Sequence, residues 1–257
     1  MLKALNLPKG YKVISLDTVG STNDVLKERA VKEYAEEGLV IWSLKQTLGR
    51  GRQNRRWISE IGNMYISVLF RPKCYLSDAA QIGFLPVIAA SKVLNDLIGP
   101  ITELRYKWPN DLLLNKKKIG GTLLEAGFDK KINANWIVVG FGLNLKHFPS
   151  KTIYPASSIK DELGVELILE EVIEAFLCNL ANLYTRWLSE GFEPLRKKWL
   201  KCGHDVDDVL SIKLPNGNVT GLFCDLDEKG ALVIKTNEGL RRVSAGDVYL
   251  VSDKGEV

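Results

Sequence analysis

The chain has 257 residues, of which 46% are hydrophobic and 26% are charged, so it can bury a sizeable core and divide into one large and one small domain. Its 35 basic and 31 acidic residues leave a formal net charge of +4, which is too small to indicate a nucleic-acid partner by itself. No segment reaches about 18 consecutive apolar residues and the first residues lack a signal-peptide pattern, so we expect a cytoplasmic protein with no membrane partner.

Cysteine and histidine offer little chemistry in this chain. The four cysteines are far apart and form no C-x-x-C pair, so they suggest neither a zinc knuckle nor a disulfide framework. Neither His147 nor His204 lies near a G-x-S-x-G turn or an H-E-x-x-H helix. We therefore do not expect histidine-based nucleophilic or metal chemistry.

The first part of the chain predicts two strands that flank a helix. Residues 10–17 have a strand pattern, and the polar run from Ser21 to Asp24 supplies N-cap candidates for a helix that continues to about Glu36. Residues 39–44 form a second, short apolar strand. The segment from Gln46 to Arg56 is a polar loop rich in glycine and arginine.

The next segments predict a strand and a helix packed on a sheet. Apolar and polar residues alternate from Met64 to Arg71, which predicts a half-buried strand. Apolar residues at spacings of three and four predict a helix over 78–98, in which Pro86 is tolerable only near the first turns.

A series of strands with short connections then predicts an antiparallel sheet. Asn115-Lys116-Lys117 and Asp129-Lys130-Lys131 have the composition of tight hairpin loops. The predicted strands cover residues 102–107, 111–115, 118–127 and 134–143.

The remaining segments complete an α+β fold with two domains. An apolar stripe from Leu169 to Leu188 predicts a long helix, and a shorter helix is expected from about Glu193 to Cys202. After about Asp205 the composition changes to short strands separated by turns, which is typical of a small β-barrel. We therefore predict a large α+β domain over 1–204, with a mixed, mainly antiparallel sheet and packed helices, and a small β-barrel domain over 205–257.

The loop between Lys45 and Arg56 concentrates positive charge. It contains no acidic residue, and its cations are Lys45, Arg50, Arg52, Arg55 and Arg56. Gly49 and Gly51 allow close backbone approach, and guanidinium groups match phosphate or carboxylate oxygens, so an anionic ligand is one interpretation. A solvated basic surface loop is an equally good interpretation from spacing alone. No Walker A sequence is present, and the glycines at 140 and 142 lack the third glycine of a dinucleotide-binding fingerprint.

Several motifs together resemble the signature of biotin protein ligases, in the order and spacing of that family. The resemblance covers roughly residues 15–145, and the predicted terminal barrel is similar to the SH3-like domain of such ligases. The matching residues are Ser21-Thr22-Asn23, Gln46, Gly49-Arg50-Gly51-Arg52, Arg55, Trp57, Lys107-Trp108-Pro109-Asn110-Asp111, Lys118, Gly121 and Gly142-Leu143-Asn144.

The resemblance implies a fold and a two-step reaction. The fold would be that of the biotin ligase catalytic domain, which is similar to class II aminoacyl-tRNA synthetases. Biotin and ATP, with Mg²⁺, would form biotinyl-5'-AMP and pyrophosphate, and the biotinyl group would then pass to a lysine of a biotin carboxyl carrier protein of a biotin-dependent carboxylase. Two anions at about 4 Å repel by roughly 4 kcal/mol at an effective dielectric constant near 20, so cations are needed where they meet.

The family pattern assigns cations to the reacting groups. Lys118 would lie between the biotin carboxylate and the α-phosphate as the principal catalytic residue, and Arg50 and Arg52 would hold the phosphate region and close over the intermediate. Arg55 would support the nucleotide. Without the resemblance, Lys118 belongs to a run of three lysines that suggests a solvated hairpin tip.

The same pattern assigns polar groups to biotin. Beyond the cations Arg50, Arg52 and Lys118, the residues implied in biotin binding are Ser21, Thr22, Asn23, Gln46, Gly51 and Gly121. By residue type alone, the Ser-Thr-Asn run could merely cap a helix, although capping and ligand binding can coexist.

A further set is implied on the nucleotide side. Besides the cations, Trp57, Asn110 and Asn144 would contact ATP, although a tryptophan is more often a core residue and an asparagine at a strand end is often a turn residue. Asp111 is the acidic candidate for Mg²⁺, and its alternative role is turn formation.

Two features of the chain differ among members of this family or depart from its pattern. The catalytic pattern begins by about Tyr11, so we expect the monofunctional type without an N-terminal DNA-binding domain. Gly120 stands where the family has alanine, which puts biotin affinity in doubt.

A lipoate or octanoyl ligase is the close rival, but its Arg-Arg and triple-glycine pattern is not seen. An RNA-binding module is the non-enzymatic rival. A homodimer is possible through the Met64 to Arg71 strand and the neighbouring sheet face.

Overall fold

The computed structural model describes residues 5–32, 35–128, 134–152, 154–214 and 217–250, which form two sheets with packed helices. The strands of the first sheet are β1 (Lys12–Val19), β2 (Leu39–Gln46), β3 (Met64–Phe70), β4 (Leu104–Lys107), β5 (Asp111–Leu114), β6 (Lys117–Phe128) and β7 (Ala134–Leu143). Those of the second are β8 (Val209–Leu214), β9 (Gly217–Leu226), β10 (Leu232–Thr236), β11 (Gly239–Val243) and β12 (Asp247–Leu250). The α-helices are α1 (Thr22–Lys32), α2 (Leu76–Ala79), α3 (Leu85–Ile98), α4 (Ile159–Leu163), α5 (Leu169–Glu190) and α6 (Glu193–Leu200).

The first sheet has seven strands in the order β1-β2-β3-β7-β6-β5-β4, and the second has five in the order β11-β10-β9-β8-β12. β1 and β2 pair in parallel because α1 forms the crossover between them, and the other pairs are antiparallel. The expected mixed, mainly antiparallel α+β fold is therefore confirmed.

Helices cover both faces of the large sheet. α1 packs on one face, where Leu26 and Ala30 join a small cluster with residues of β2, β3 and β7. α3 and α5 contribute to the larger core on the opposite face, in which Phe176 of α5 stacks on Phe141 at 5.3 Å between ring centroids. The site described below lies on the same face of the sheet as α1, at the N-terminal end of that helix.

β3 differs from its predicted half-buried state. Each of its seven residues is buried, because the strand lies between β2 and β7 and has helices on both faces. The alternation of Tyr65 and Ser67 with apolar residues reflects two different buried environments rather than core and solvent. The seven residues of β3 thus offer no exposed side chain to a second copy of the chain, and the possible homodimer stays a prediction.

The predicted helix over 78–98 is divided. It consists of α2, a 3₁₀ segment (Ala80–Phe84) and α3, whose first turn contains Pro86, as the missing proline N–H requires. The stretch Leu76–Ile98 is long and apolar enough to cross a membrane by length and composition, but 67% of its most apolar window is buried inside the protein. It is thus part of the core.

Other observed element boundaries also differ from those predicted from the sequence. The described part of α1 ends at Lys32 rather than near residue 36, and residues 33 and 34 lie outside the described residues. α4 was not predicted, because its five residues are too few for a periodic signal. The predicted loop at 129–131 and the Pro215-Asn216 part of a predicted turn also lie outside the described residues.

The second sheet is fastened to the first by side chains of the large domain. The indole Nε1 of Trp108 donates to the carbonyl of Gly230 at 3.0 Å, and Arg196 Nε donates to the carbonyl of Leu226 at 2.6 Å. Lys229 pairs with Asp78 at 2.6 Å between Nζ and Oδ1. These bonds hold the turn between β9 and β10 against the large domain, and Lys107 at the end of β4 donates to the carbonyl of Val248 in β12 at 3.2 Å.

Candidate active site

A cavity of about 420 Å³ lies between the start of α1, the arginine loop, the β4–β5 turn and β12. Its volume suits one medium-sized organic ligand or a pair of ligands in contact. All the residues that the sequence predicted for the site line this cavity: Ser21, Thr22, Asn23, Gln46, Arg50, Gly51, Arg52, Arg55, Trp57, Asn110, Asp111, Lys118, Gly121 and Asn144. Residues from distant parts of the sequence thus converge on one place.

Glycines of β7 form the floor of the cavity. A methyl group on Gly140 would overlap the side-chain oxygen of Asn23, and one on Gly142 would lie 2.6 Å from the indole nitrogen of Trp57. A methyl group on Gly121 of the neighbouring strand would lie 3.1 Å from the Lys118 side chain and 3.3 Å from Oδ1 of Asp111. The absence of side chains at these positions lets polar groups above the sheet approach its backbone.

The start of α1 holds a cluster of buried hydroxyl and amide groups. The backbone N–H and the hydroxyl of Thr22 both donate to Oε1 of Gln46, at 2.9 and 3.1 Å. The hydroxyl of Ser67 lies 2.6 Å from Oδ1 of Asn23 and 2.8 Å from Oγ1 of Thr22. Ser21, which precedes the helix, is only 3% exposed. These contacts fix the orientation of groups that a neutral polar ligand can use.

The arginine loop is folded back on itself rather than irregular. Arg50 and Arg56 form an antiparallel bridge, and a 3₁₀ turn (Arg52–Asn54) lies between them. The N–H of Gly51 donates to the carbonyl of Arg55 at 2.7 Å, so this amide is not free to contact a ligand.

Carboxylates from elsewhere in the chain neutralise part of the loop. The guanidinium of Arg50 binds Asp24, with Nη2 2.7 Å from Oδ1, and it binds Glu125, with Nη2 3.0 Å from Oε2. These partners hold the pKa of Arg50 above its usual value, chiefly through the hydrogen bond with Asp24. Lys27 pairs with the same two acids, at 3.0 and 2.7 Å. The two positive and two negative charges balance.

Arg52 and Arg55 point to the other side of the cavity. Arg55 forms an ion pair with Asp247 at the start of β12. Arg52 donates to the carbonyl of Gly246 at 3.2 Å and, within the described part of the chain, has no carboxylate at ion-pair distance. Burial lowers the pKa of Arg52, which still leaves a charged guanidinium. Its charge is thus available to an anionic ligand.

Lys118 and Lys107 share one carboxylate. Nζ of Lys118 lies 2.5 Å from Oδ1 of Asp111, and Nζ of Lys107 lies 3.5 Å from Oδ2. A bulge in the β5–β6 pairing carries Lys118 inward, and its backbone bonds to the carbonyl of Pro155 and to the amide of Ser157. Of the three consecutive lysines, Lys118 is therefore the one placed in the cavity.

Burial affects the titration of this cluster. Burial alone would raise the pKa of Asp111, but the ammonium groups of Lys118 and Lys107 outweigh it and hold the pKa below the usual value. Burial lowers the pKa of Lys107, whose ammonium also lies 3.8 Å from the ring centre of Tyr154 and 3.2 Å from the carbonyl oxygen of Val248. Asp111 is thus an anion held between two cations.

Trp57, Asn110 and Asn144 frame the same region. The ammonium of Lys118 lies 5.3 Å from the ring centre of Trp57, whose indole nitrogen has no protein hydrogen-bond partner among the described residues. The side-chain amide of Asn110 donates to the carbonyl of Thr122, and that of Asn144 donates to the carbonyl of Ser157 at 3.0 Å. Each asparagine thus uses one of its two side-chain N–H donors to bind a neighbouring segment of the backbone.

Gly120 lies on the other face of β6 from the cavity. A methyl group there would contact the carbonyl oxygen of Gly142 and the ring of Phe141, each at 3.1 Å. The missing methyl therefore concerns the packed core side of the strand rather than the ligand side.

Sequence reasoning missed several residues that line the cavity or pair with residues lining it. Asp24 and Glu125 as partners of Arg50, Asp247 as the partner of Arg55, and Lys107 as the second ammonium near Asp111 received no role. The five cations without a local acid were the available signal, because buried or half-buried charges require partners. That signal indicates that acids exist elsewhere but not which ones.

Comparison with known proteins connects this site to a family. Residues 57–201 match the biotin/lipoate A/B protein ligase family, and residues 211–251 match the biotin protein ligase C-terminal domain. A biotin--[acetyl-CoA-carboxylase] ligase of Paracoccus denitrificans is 32% identical over 215 residues, which cover 80% of this chain and 87% of that protein. The bifunctional ligase/repressor BirA of Bacillus subtilis is 29% identical over 94% of this chain and 74% of its own length.

Solved structures of biotin protein ligases are also similar to this chain. A biotin protein ligase from Aquifex aeolicus in complex with biotin and ATP superposes with a TM-score of 0.78 and 26% identity, over 93% of this chain and 97% of that chain. A biotin protein ligase from Leishmania major in complex with biotinyl-5-AMP has a TM-score of 0.59 and 23% identity, over 91% and 98% of the two chains, and shows likeness of fold.

Proposed function

Because the chain belongs to the biotin protein ligase family, it is an ATP-dependent biotin ligase, and we propose that the cavity binds biotin and ATP next to each other. The enzyme activates biotin to biotinyl-5'-AMP and transfers the biotinyl group to a carboxylase, with release of AMP. The observation that carries the proposed site is the convergence of the amide and hydroxyl cluster, the arginine loop and Lys118 on one cavity.

The cavity has two chemically distinct ends. The neutral groups of Thr22, Asn23 and Gln46 suit the ureido ring of biotin, which needs fixed donors and acceptors, and Arg50 is held beside them. Arg52, which has no carboxylate partner in the described ranges, suits the phosphates, with Arg55 and Trp57 on the nucleotide side. Asn110 and Asn144 would support the nucleotide mainly by shaping the turns, since their amides bind backbone carbonyls.

Lys118 stands where the two substrates would meet. In the first step a biotin carboxylate oxygen attacks the α-phosphorus, a new P–O bond forms, and the bond to the β-phosphate oxygen breaks to release pyrophosphate. The Lys118 ammonium stabilises the negative charge that builds on the phosphate oxygens. In the second step the acceptor lysine amine attacks the biotinyl carbonyl, AMP leaves, and the amine loses a proton.

Mg²⁺ enters this proposal as the companion of ATP rather than as an ion held by the protein. The described residues contain no group of three or more metal-ligating side chains, and both oxygens of Asp111 face ammonium groups. That arrangement does not fit Asp111 as a magnesium ligand. When bound with ATP, Mg²⁺ neutralises phosphate charge through the phosphate oxygens.

The acceptor would be a lysine of a biotin carboxyl carrier domain in a cytoplasmic carboxylase. We place the domain boundary at 204/205, before β8, and assign the second sheet to an SH3-like barrel. A homodimer and the absence of DNA binding stay predictions.

Two rival functions receive less support. A lipoate ligase belongs to the same broad family, but the C-terminal match and the named relatives are biotin ligases. An RNA-binding module would need exposed cations, whereas Arg50 and Arg55 are paired with carboxylates.

The test is direct biotinylation in vitro. The protein is incubated with ATP, Mg²⁺, biotin and a biotin carboxyl carrier domain, and covalent biotin is measured by mass spectrometry. A parallel reaction contains lipoate instead of biotin, and a control carrier has its acceptor lysine changed to arginine. Biotin on the carrier that keeps its acceptor lysine, and not on the lysine-to-arginine carrier, supports the proposal. Transfer of lipoate, or no transfer at all, contradicts it.

A further inference from the structure

The charge cluster around Arg50 contains a carboxylate that does not line the cavity. Glu125 lies on β6, two residues beyond the cavity-lining Leu123, and its side chain is 25% exposed. It accepts hydrogen bonds from Arg50 at 3.0 Å, from Asn23 at 2.9 Å and from Lys27 at 2.7 Å. One carboxylate therefore joins the arginine loop, the start of α1 and the sheet.

The position of Arg50 depends on this carboxylate. The backbone of the loop that carries Arg50 is held by a bridge to Arg56 and by a 3₁₀ turn with two residues in the left-handed region, whereas the guanidinium of Arg50 is held by carboxylates. Asp24 also binds Arg50, but its side chain is 50% exposed, so solvent weakens that pair. The side chain of Glu125 is less exposed than that of Asp24. Its backbone is fixed by the pairing of β6 with β7, and its carboxylate is also bound by Lys27.

Glu125 also determines which end of the cavity Arg50 serves. Because the same Oε2 atom accepts from both Asn23 and Arg50, the guanidinium is held beside the amide that we assign to biotin. Hydrogen bonds from Lys27, Asn23 and Arg50 outweigh the effect of burial and lower the pKa of Glu125, so the carboxylate is charged at neutral pH. Arg52 and Arg55 lie toward β12 instead.

We propose that Glu125 is a positioning residue that fixes Arg50 at the biotin end of the cavity and thereby contributes to biotin affinity but not to ATP affinity. This inference rests on the proposed function. Glu125 touches no substrate in this scheme and acts through Arg50.

The test measures biotin-dependent exchange of pyrophosphate into ATP for wild type, Glu125→Gln and the control Glu28→Gln, which removes an exposed charge from a pair on α1. Loss of a charged hydrogen bond predicts that Glu125→Gln raises KM for biotin about tenfold while KM for ATP stays within about twofold. Glu28→Gln should match wild type. Glu125→Asp keeps the charge on a shorter side chain, and its KM for biotin should lie between those of wild type and Glu125→Gln.

A double substitution separates positioning from a general loss of structure. In an Arg50→Ala background, adding Glu125→Gln should raise KM for biotin by less than about threefold, because its partner is gone. A wild-type KM for biotin in both Glu125 variants overturns the inference, and so does an equal rise in both backgrounds. An equal rise in KM for biotin and ATP with a lowered Tm also overturns it. If wild type itself shows no biotin-dependent exchange, the proposed function fails instead.

Discussion

The ammonium of Lys118 lies 2.5 Å from a carboxylate oxygen of Asp111, inside a cavity that the preceding two lysines do not enter. Lys116 is exposed at the hairpin tip, and Lys117 pairs with Glu162 at 2.8 Å. Three identical side chains thus have three environments. The ion pair with Asp111 holds the Lys118 ammonium in place before substrates arrive.

The first prediction concerns this ammonium. Lys118→Ala should lower the rate of biotinyl-adenylate formation by about 10²–10³, the usual effect of removing a donor that stabilises transition-state charge. The fold should survive, because Lys107 remains 3.5 Å from Asp111. Single-turnover adenylate formation and circular dichroism provide the measurements. Lys117→Ala is the matched control, and equal rates in the two variants would refute the role of Lys118.

A second prediction separates the arginines. Arg52→Ala should raise KM for ATP by about tenfold or more, because a charge-assisted hydrogen bond to phosphate is lost, with a smaller effect on KM for biotin. The control is Arg186→Ala, which removes a guanidinium that pairs with Glu190 on α5. Steady-state exchange kinetics with each substrate varied give the answer. An unchanged KM for ATP would remove Arg52 from the nucleotide side.

The third prediction tests the glycine floor. A methyl on Gly140 collides with Asn23, so Gly140→Ala should raise the Kd for biotin by about tenfold to a hundredfold, as overpacking typically costs 1–3 kcal/mol. In Gly83→Ala the new methyl would lie 3.7 Å from Leu124, which is an ordinary contact, and biotin binding should be unaffected. Isothermal titration calorimetry with biotin distinguishes the two variants. Wild-type binding by Gly140→Ala would show that Asn23 does not contact biotin.

A fourth prediction concerns pH and the hairpin that presents Lys118. Burial alone would raise the pKa of Glu162, but hydrogen bonds from Lys117, Ser157 and Asn115 lower it to about 2. Since the folded-state pKa is lowered from 4.5, the stabilisation is complete above about pH 4.5 and is lost as the pH falls toward 2.

Glu162→Gln should accordingly lower the free energy of unfolding on the order of 2 kcal/mol at pH 7. The difference from wild type should shrink as the pH decreases from 5 to 2, as urea unfolding at each pH can show. Glu60→Gln is the control, because the nearest ammonium is that of Lys45 at 4.0 Å on the surface. A difference that grows in acid would contradict the assignment.

Most of the fold and the membership of the site could be predicted from the sequence. Strand alternation, Pro86 and the apolar stripe of α5 are local signals, and the family motifs bring their residues together. The pairing of Arg50 with Glu125 could not be predicted, because these residues are 75 positions apart and either acid or ligand would satisfy the arginine. The complete burial of β3 was missed because polar Ser67 serves an internal hydrogen-bond cluster and looks like a surface residue.

The position of β12 has a consequence for reaction efficiency. Residues 247–249 line the cavity although they belong to the second sheet, and they contact both Arg55 and Lys107. A shortened protein that stops after α6 would keep the large sheet but lack one wall around the mixed anhydride. Bulk water would then compete with the acceptor amine for the mixed anhydride. Such a truncated enzyme should therefore consume ATP and release free biotin and AMP, with little biotin transferred to the carrier.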